Sequence, residues 1–134
     1  QQASDITYRI YDWGRDPAHS QRPLHLKEAV EALDYKQLNS GKTAFERPRN
    51  GSVNLVAEDV FHTNLLAFDQ TIHSEYYYVD SFVLYVCVSG KCTLKYNGKQ
   101  EQLAMGECIL LPAEIKQVEW VTDTYCEVLE TYIP

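Results

Sequence analysis

Asp5 and Arg9 are the first residues of this chain whose types and spacing suggest chemistry. They lie in Gln2–Arg15, a stretch that alternates apolar and polar residues and is rich in β-branched and aromatic side chains, which predicts a strand. Ile6, Tyr8 and Ile10 then share one face, and Asp5, Thr7 and Arg9 the other, because strand side chains alternate with period two. A carboxylate and a guanidinium would sit ~13 Å apart on one face. Such a polar row suits the inner wall of a barrel that holds a charged ligand. A half-exposed strand with ordinary surface charges fits the same pattern, and Arg15, after a turn, reads equally well as a surface ion-pair partner.

Neither histidines nor cysteines add a metal site. His19, His25, His62 and His73 are scattered, and no two sit at a spacing that converges on a metal. Cys87, Cys92, Cys108 and Cys126 form no C-x-x-C pair. Each lies in an apolar or alternating stretch, so all four are expected as reduced, buried thiols.

The elements that must position these residues are mostly β. After a polar loop with Pro17 and Pro23, Leu26, Ala29, Val30 and Leu33 recur at helical spacing, predicting a short helix over 26–34 that is capped by Asn39-Ser40-Gly41. A basic connector with Arg47 and Arg49 leads to strands expected at 52–57, 61–69, 75–79, 81–89, 92–96, 100–103, 108–112, 118–121 and 125–132. The strands at 81–89 and 108–112 are apolar at nearly every position, which predicts burial on both faces. Asn97-Gly98 is a strong hairpin signal. Short strands at close spacing predict a sandwich or jelly roll.

Composition bounds the rest. The chain has 134 residues, enough for one domain with its own core. A hydrophobic fraction of 45% excludes a disordered tail, and a formal net charge of −7 argues against a nucleic-acid partner. It leaves room for a phosphorylated ligand, since a local Arg cluster suffices for phosphate. No apolar run approaches the ~20 residues of a membrane span. A cytoplasmic protein is expected.

Ser4-Asp5-x-Thr7-Tyr8-Arg9-x-Tyr11-Asp12-Trp13-x-Arg15, followed by Arg22-Pro23-Leu24-His25-Leu26, resembles the type I mannose-6-phosphate isomerases in their bacterial short form. Gly90 in a strand-turn-strand, then Gly106-Glu107-x-x-x-Leu111-Pro112, resembles the second cupin motif. The expected architecture is a cupin-like double-stranded β-helix, or jelly roll, over residues 53–134. It follows one strand of a second, catalytic cupin (1–15) and a loop, short helix and connector (16–52). The metal histidines of a cupin are missing: Tyr76-Tyr77-Tyr78 stands where H-x-H would lie, and Ile115-Lys116-Gln117 follows the second motif.

The resemblance implies interconversion of mannose 6-phosphate and fructose 6-phosphate through an enediol, with zinc held by residues that precede the first strand in the family. Carried over, Asp5 is an acid/base or sugar-hydroxyl contact, Arg9 stabilises the enediolate or binds the sugar, and Arg15 is a weaker substrate contact. No residue of this chain replaces the zinc ligands, so no metal site is expected here. Zinc belongs to the full-length parent, and the chain alone is expected to be inactive without an N-terminal catalytic domain. Homo-oligomerisation is expected on the ground that a severed strand seeks a partner. The alternative is a non-catalytic cupin that binds a sugar or serves as an interaction or oligomerisation module.

Overall fold

A computed structural model describes residues 6–15, 22–36 and 41–134. The chain forms two compact units, residues 1–41 and 42–134.

In the first unit the helix α1 spans Leu26–Ala32. It stops two residues before the sequence predicts: Leu33 leaves helical geometry with ψ 134, and Tyr35 Oη donates to Val30 O at 2.7 Å, taking up a carbonyl of the last turn. The capping sequence at 39–40 lies outside the described residues. Leu26, Val30 and Leu33 are all exposed, so the apolar stripe of α1 faces no core within this unit. Among the described residues no strand pairs with residues 6–12, and Ile6, Tyr8 and Ile10 are exposed. Alternation alone cannot make a strand, since a strand needs a ladder partner. Here the backbone of Arg9 bonds to His25 instead.

The second unit is a two-layer β-sandwich. Its strands are β1 (Gly51–Glu58), β2 (Phe61–Phe68), β3 (Ile72–Glu75), β4 (Val83–Ser89), β5 (Lys91–Tyr96), β6 (Lys99–Ala104), β7 (Cys108–Leu111), β8 (Gln117–Val121) and β9 (Cys126–Tyr132). One sheet runs β1-β2-β9-β4-β7 and the other β3-β8-β5-β6, and every neighbouring pair is antiparallel. This is the mostly β sandwich or jelly roll that the turn spacing predicts. Inward-facing residues of both sheets close the core: Phe68, Val83, Tyr85 and Val128 from one, Leu94, Leu103, Val118 and Trp120 from the other. The Trp120 ring meets the edge of Tyr85 at 4.7 Å between centroids and tilts against Phe68 at 6.1 Å, geometries that aromatic quadrupoles favour.

Three expectations are corrected. The third strand is Ile72–Glu75, not 75–79. Tyr76 to Val79 instead turns back on itself through a bond from Val79 N–H to Tyr76 O, and Lys116 Nζ donates to Val79 O at 2.6 Å. Strands β4 and β7 are buried on one face only, with Val88, Leu110 and Cys108 open on the other. Cys108 is therefore an exposed thiol, whereas Cys87, Cys92 and Cys126 are buried and all four are free. Burial pushes the Cys87 thiol up to about 11.

Gly90, between β4 and β5, has φ +76, and a Cβ there would lie 2.4 Å from the Tyr125 carbonyl oxygen. At the β5–β6 hairpin tip Gly98 has the same backbone geometry, φ +74, with open space around it. Gly90→Ala should lower the unfolding free energy by more than about 2 kcal/mol, and Gly98→Ala by only about 1 kcal/mol. Urea unfolding of both variants measures the difference; equal losses would mean that the Tyr125 clash is relieved at no cost.

Candidate functional site

Asp5 lies outside the described residues. Arg9 is half-buried, and its backbone exchanges two bonds with His25: Arg9 N–H donates to His25 Nδ1 at 3.2 Å, and His25 N–H donates to Arg9 O at 2.8 Å. Because Nδ1 accepts, a neutral His25 carries its proton on Nε2. The same histidine precedes α1, and its carbonyl accepts Ala29 N–H at 2.9 Å. It therefore ties the start of the helix to the segment that carries Arg9, a structural duty.

Arg15 closes a turn. Its N–H donates to Asp12 O at 3.0 Å and its guanidinium stands 3.6 Å from Asp12 Oδ1. Trp13 and Gly14 both take positive φ to make that turn. The result is a hollow of about 380 Å³ with a mainly apolar wall of Tyr11, Pro23 and Leu24, lined also by Asp12, Arg15 and Arg22. Arg9 does not line it. Thus the structure joins Arg15 to Arg22 rather than to Arg9. Sequence reasoning named Arg22 only as part of a motif; the signal was its place beside Pro23, which fixes the chain just before His25.

A second polar grouping lies inside the sandwich. Glu130 of β9 points inward and is only 5% exposed. Tyr76 Oη donates to Glu130 Oε1, Tyr85 Oη donates to Tyr76 Oη at 2.6 Å, and Asn64 Nδ2 donates to Glu130 Oε2 at 2.7 Å. Asn54 Nδ2 in turn donates to Asn64 Oδ1 at 2.9 Å. The chain of bonds runs from the β1 edge into the core, and every member has a partner. Burial first, and then the charge of Glu130 and the neighbouring phenol, push Tyr76 far above the usual tyrosine range; Tyr85 is raised by burial and by Glu130 although its bond to Tyr76 works the other way. Both phenols stay protonated and act as hydrogen-bond donors, not bases. The sequence signal for this cluster was a glutamate at the inward position of β9, in register with Cys126 and Val128. Nearby, the buried Trp120 Nε1–H has no hydrogen-bond partner.

An open cleft of about 500 Å³ lies on the four-stranded sheet, between β3–β8 and the tip of the β5–β6 hairpin. Within it Lys95 faces Glu119 at 3.8 Å, and Gln117 Nε2 donates to Glu75 Oε1 at 3.2 Å. Among the described residues no group of three or more His, Cys, Asp and Glu side chains converges on a point where a metal could bind. Nor is any helix among them long and apolar enough to cross a membrane.

No family model matches the chain. YvyI of Bacillus subtilis (strain 168), which carries a provisional name as a mannose-6-phosphate isomerase, is 29% identical over 116 residues, 86% of this chain and 37% of its own length. The crystal structure of the mannose 6-phosphate isomerase from Bacillus subtilis superposes with a TM-score of 0.69 at 25% identity, covering 97% of this chain and 41% of that one. A cupin superfamily protein from Desulfitobacterium hafniense superposes with a TM-score of 0.54 at 16% identity, over 75% of this chain and 97% of its own. The chain is thus a relative of the mannose-6-phosphate isomerases, has a cupin fold, and spans about two-fifths of the length of the relatives it matches.

Two outcomes follow from the polar contacts of the sandwich. Tyr76→Phe leaves Glu130 Oε1 buried without its donor and should cost about 2–3 kcal/mol in urea unfolding, the usual penalty for an unsatisfied buried group; a loss under 0.5 kcal/mol would make the cluster energetically idle. On the outer face Glu127 accepts bonds from Tyr125 Oη at 2.7 Å and Arg47 Nε at 2.8 Å, which together hold its carboxyl below the usual range despite partial burial. A depressed folded pKa gives stability that is present above the unfolded carboxylate value and lost as pH falls through the folded one. Tyr125→Phe should therefore lower stability at pH 7 and pH 9 alike, with the loss shrinking as pH falls through the folded Glu127 value, and raise the midpoint pH of acid unfolding measured by circular dichroism.

Proposed function

We propose that this chain is the C-terminal portion of a zinc-dependent mannose-6-phosphate isomerase, and that it lacks isomerase activity by itself. Its relationship to the Bacillus isomerase over 97% of its length carries this reading. The reaction moves a proton between C2 and C1 of the sugar through an enediol, so negative charge develops on oxygen as the bond to hydrogen breaks. A guanidinium placed there lowers the barrier, since Arg is always charged and offers a planar fork of donors. In this reading Arg9 stabilises the enediolate, Asp5 contacts a sugar hydroxyl or moves the proton, and Arg15, with Arg22 on the same hollow, binds the phosphate. The described residues do not form a ligand set for zinc. The chemistry this reading gives the chain is charge stabilisation, proton movement at Asp5 and substrate binding, in a cytoplasmic enzyme whose zinc is held by residues of the full-length parent.

The second reading is a non-catalytic cupin module that binds a sugar or mediates association. It is favoured by the filled interior of the sandwich, where Tyr76, Tyr85 and Glu130 bond to one another.

Coupled assays with mannose 6-phosphate and added zinc, run on residues 1–134 alone and on the same chain joined to the polypeptide encoded upstream, separate the readings. The expected result is no turnover for the chain alone and zinc-dependent turnover for the joined protein. Within the joined protein, Arg9→Ala should lower kcat/KM by about 10²–10³-fold, and Arg15→Ala should raise KM by about tenfold with little change in kcat. Turnover by residues 1–134 alone would overturn the proposed inactivity, and an upstream sequence that yields no zinc-dependent activity would leave the second reading.

A further inference from the structure

Strands β4 and β7 are apolar on both faces, yet the sandwich uses one. On the outer side of the five-stranded sheet, ladder partners align Val53, Leu65, Leu129, Val86 and Cys108 in one row, and Leu84 with Leu110 in the next. At the β1–β2 end Leu65 is buried although it points away from the core. Toward β7 the covering ends: Phe82 is 44%, Val88 40%, Leu110 57% and Met105 68% exposed. A sheet face of this kind, ending in a strand with a free edge, is a site for pairing with another strand.

The four sheet edges differ. At β1 the register slips between Asn54 and Val56, a bulge that bends the edge away from a partner. At β6 Lys99 and Glu101 stand on the edge, and at β3 His73 and Glu75. These are recognised guards against edge pairing. Strand β7, Cys108-Ile109-Leu110-Leu111, has no charge, no proline and no bulge. Among the described residues this leaves one open sheet edge, which permits a closed pair but not a filament, since a filament needs two different complementary surfaces on each copy.

We propose that β7 and the open outer face beside it form the interface of a symmetric dimer, in which the β7 strands of two copies pair antiparallel and join their five-stranded sheets into one. Setting Ile109 opposite its own copy places Cys108 against Leu110 on the outer side and keeps Pro112 out of the ladder. In that register the two Glu107 residues are separated by about 13 Å along the strands, beyond the ~8 Å Debye length at physiological salt, so the acidic chains do not repel at the seam. The two Cys108 thiols come to within about 8 Å of each other. The occupant is a second copy rather than a different protein because an uncharged strand pairs with itself at no electrostatic cost, and because the other edges are guarded.

Sedimentation equilibrium of the 134-residue chain from 1 to 300 μM should give a reversible monomer–dimer equilibrium. Leu110→Lys, at a position already exposed, should shift it to monomer, with the unfolding midpoint of the dilute protein unchanged. Gln102→Lys on the β6 edge should leave the dimer intact. A short bismaleimide should join two copies through Cys108, and Cys108→Ser should remove that product while dimerisation persists. A monomer over the whole range, a dimer indifferent to Leu110→Lys, or growth to higher oligomers would each overturn the proposal.

Discussion

A carboxylate with almost no access to water ties the sandwich together. Glu130 sits on the central strand β9, while the Tyr76 that donates to it follows β3 of the opposite sheet. Leaving a carboxylate oxygen unbonded in such a place costs several times what an ordinary hydrogen bond contributes, so the positions of its donors are closely constrained. Tyr76 must turn inward, which ends β3 at Glu75 and sets the tight turn to Val79. Asn64 must face β9 from β2, and Tyr85 must lie against both Tyr76 and Trp120. One inward glutamate thereby fixes side chains on β2, β4 and β9 and the exit of β3.

The β-rich second half was legible because its strands are short, alternate cleanly and are separated by turn residues with a specific mechanism. Asn97-Gly98 marked the β5–β6 hairpin, and both residues take the positive φ that this turn requires. The place of β3 was not legible. Tyr76-Tyr77-Tyr78 has high strand propensity, and only the bond to Glu130, 54 residues away, shows why the strand ends before it. The outward faces of β4 and β7 differ from expectation for a related reason: apolar residues on both faces predict burial on both, but the sandwich covers only the inner one.

The first unit shows the opposite balance. Its sequence carried the most specific resemblance, yet its local structure was the hardest to foresee. Asp5, Thr7 and Arg9 were expected on one wall of a barrel, but among the described residues no strand pairs with 6–12, and Arg9 engages His25 through its backbone. The motif residues recognise a fold-wide environment, whereas propensity reports only neighbours. Arg22 became visible as a site residue only when the turn at Trp13-Gly14 brought Arg15 to the same hollow.

Strand β9 also governs the order in which the sandwich can assemble. It lies between β2 and β4, yet it is made after every other strand of the sheet. Without Cys126–Tyr132, β1–β2 and β4–β7 are separate two-stranded pairs, and isolated two-stranded pairs are marginal in water. Until β9 is in place the apolar strands of this sheet are unshielded, and it must insert at the centre of the sheet rather than add to its rim. Folding of this unit is expected to be slow, dominated by pairings between distant parts of the chain.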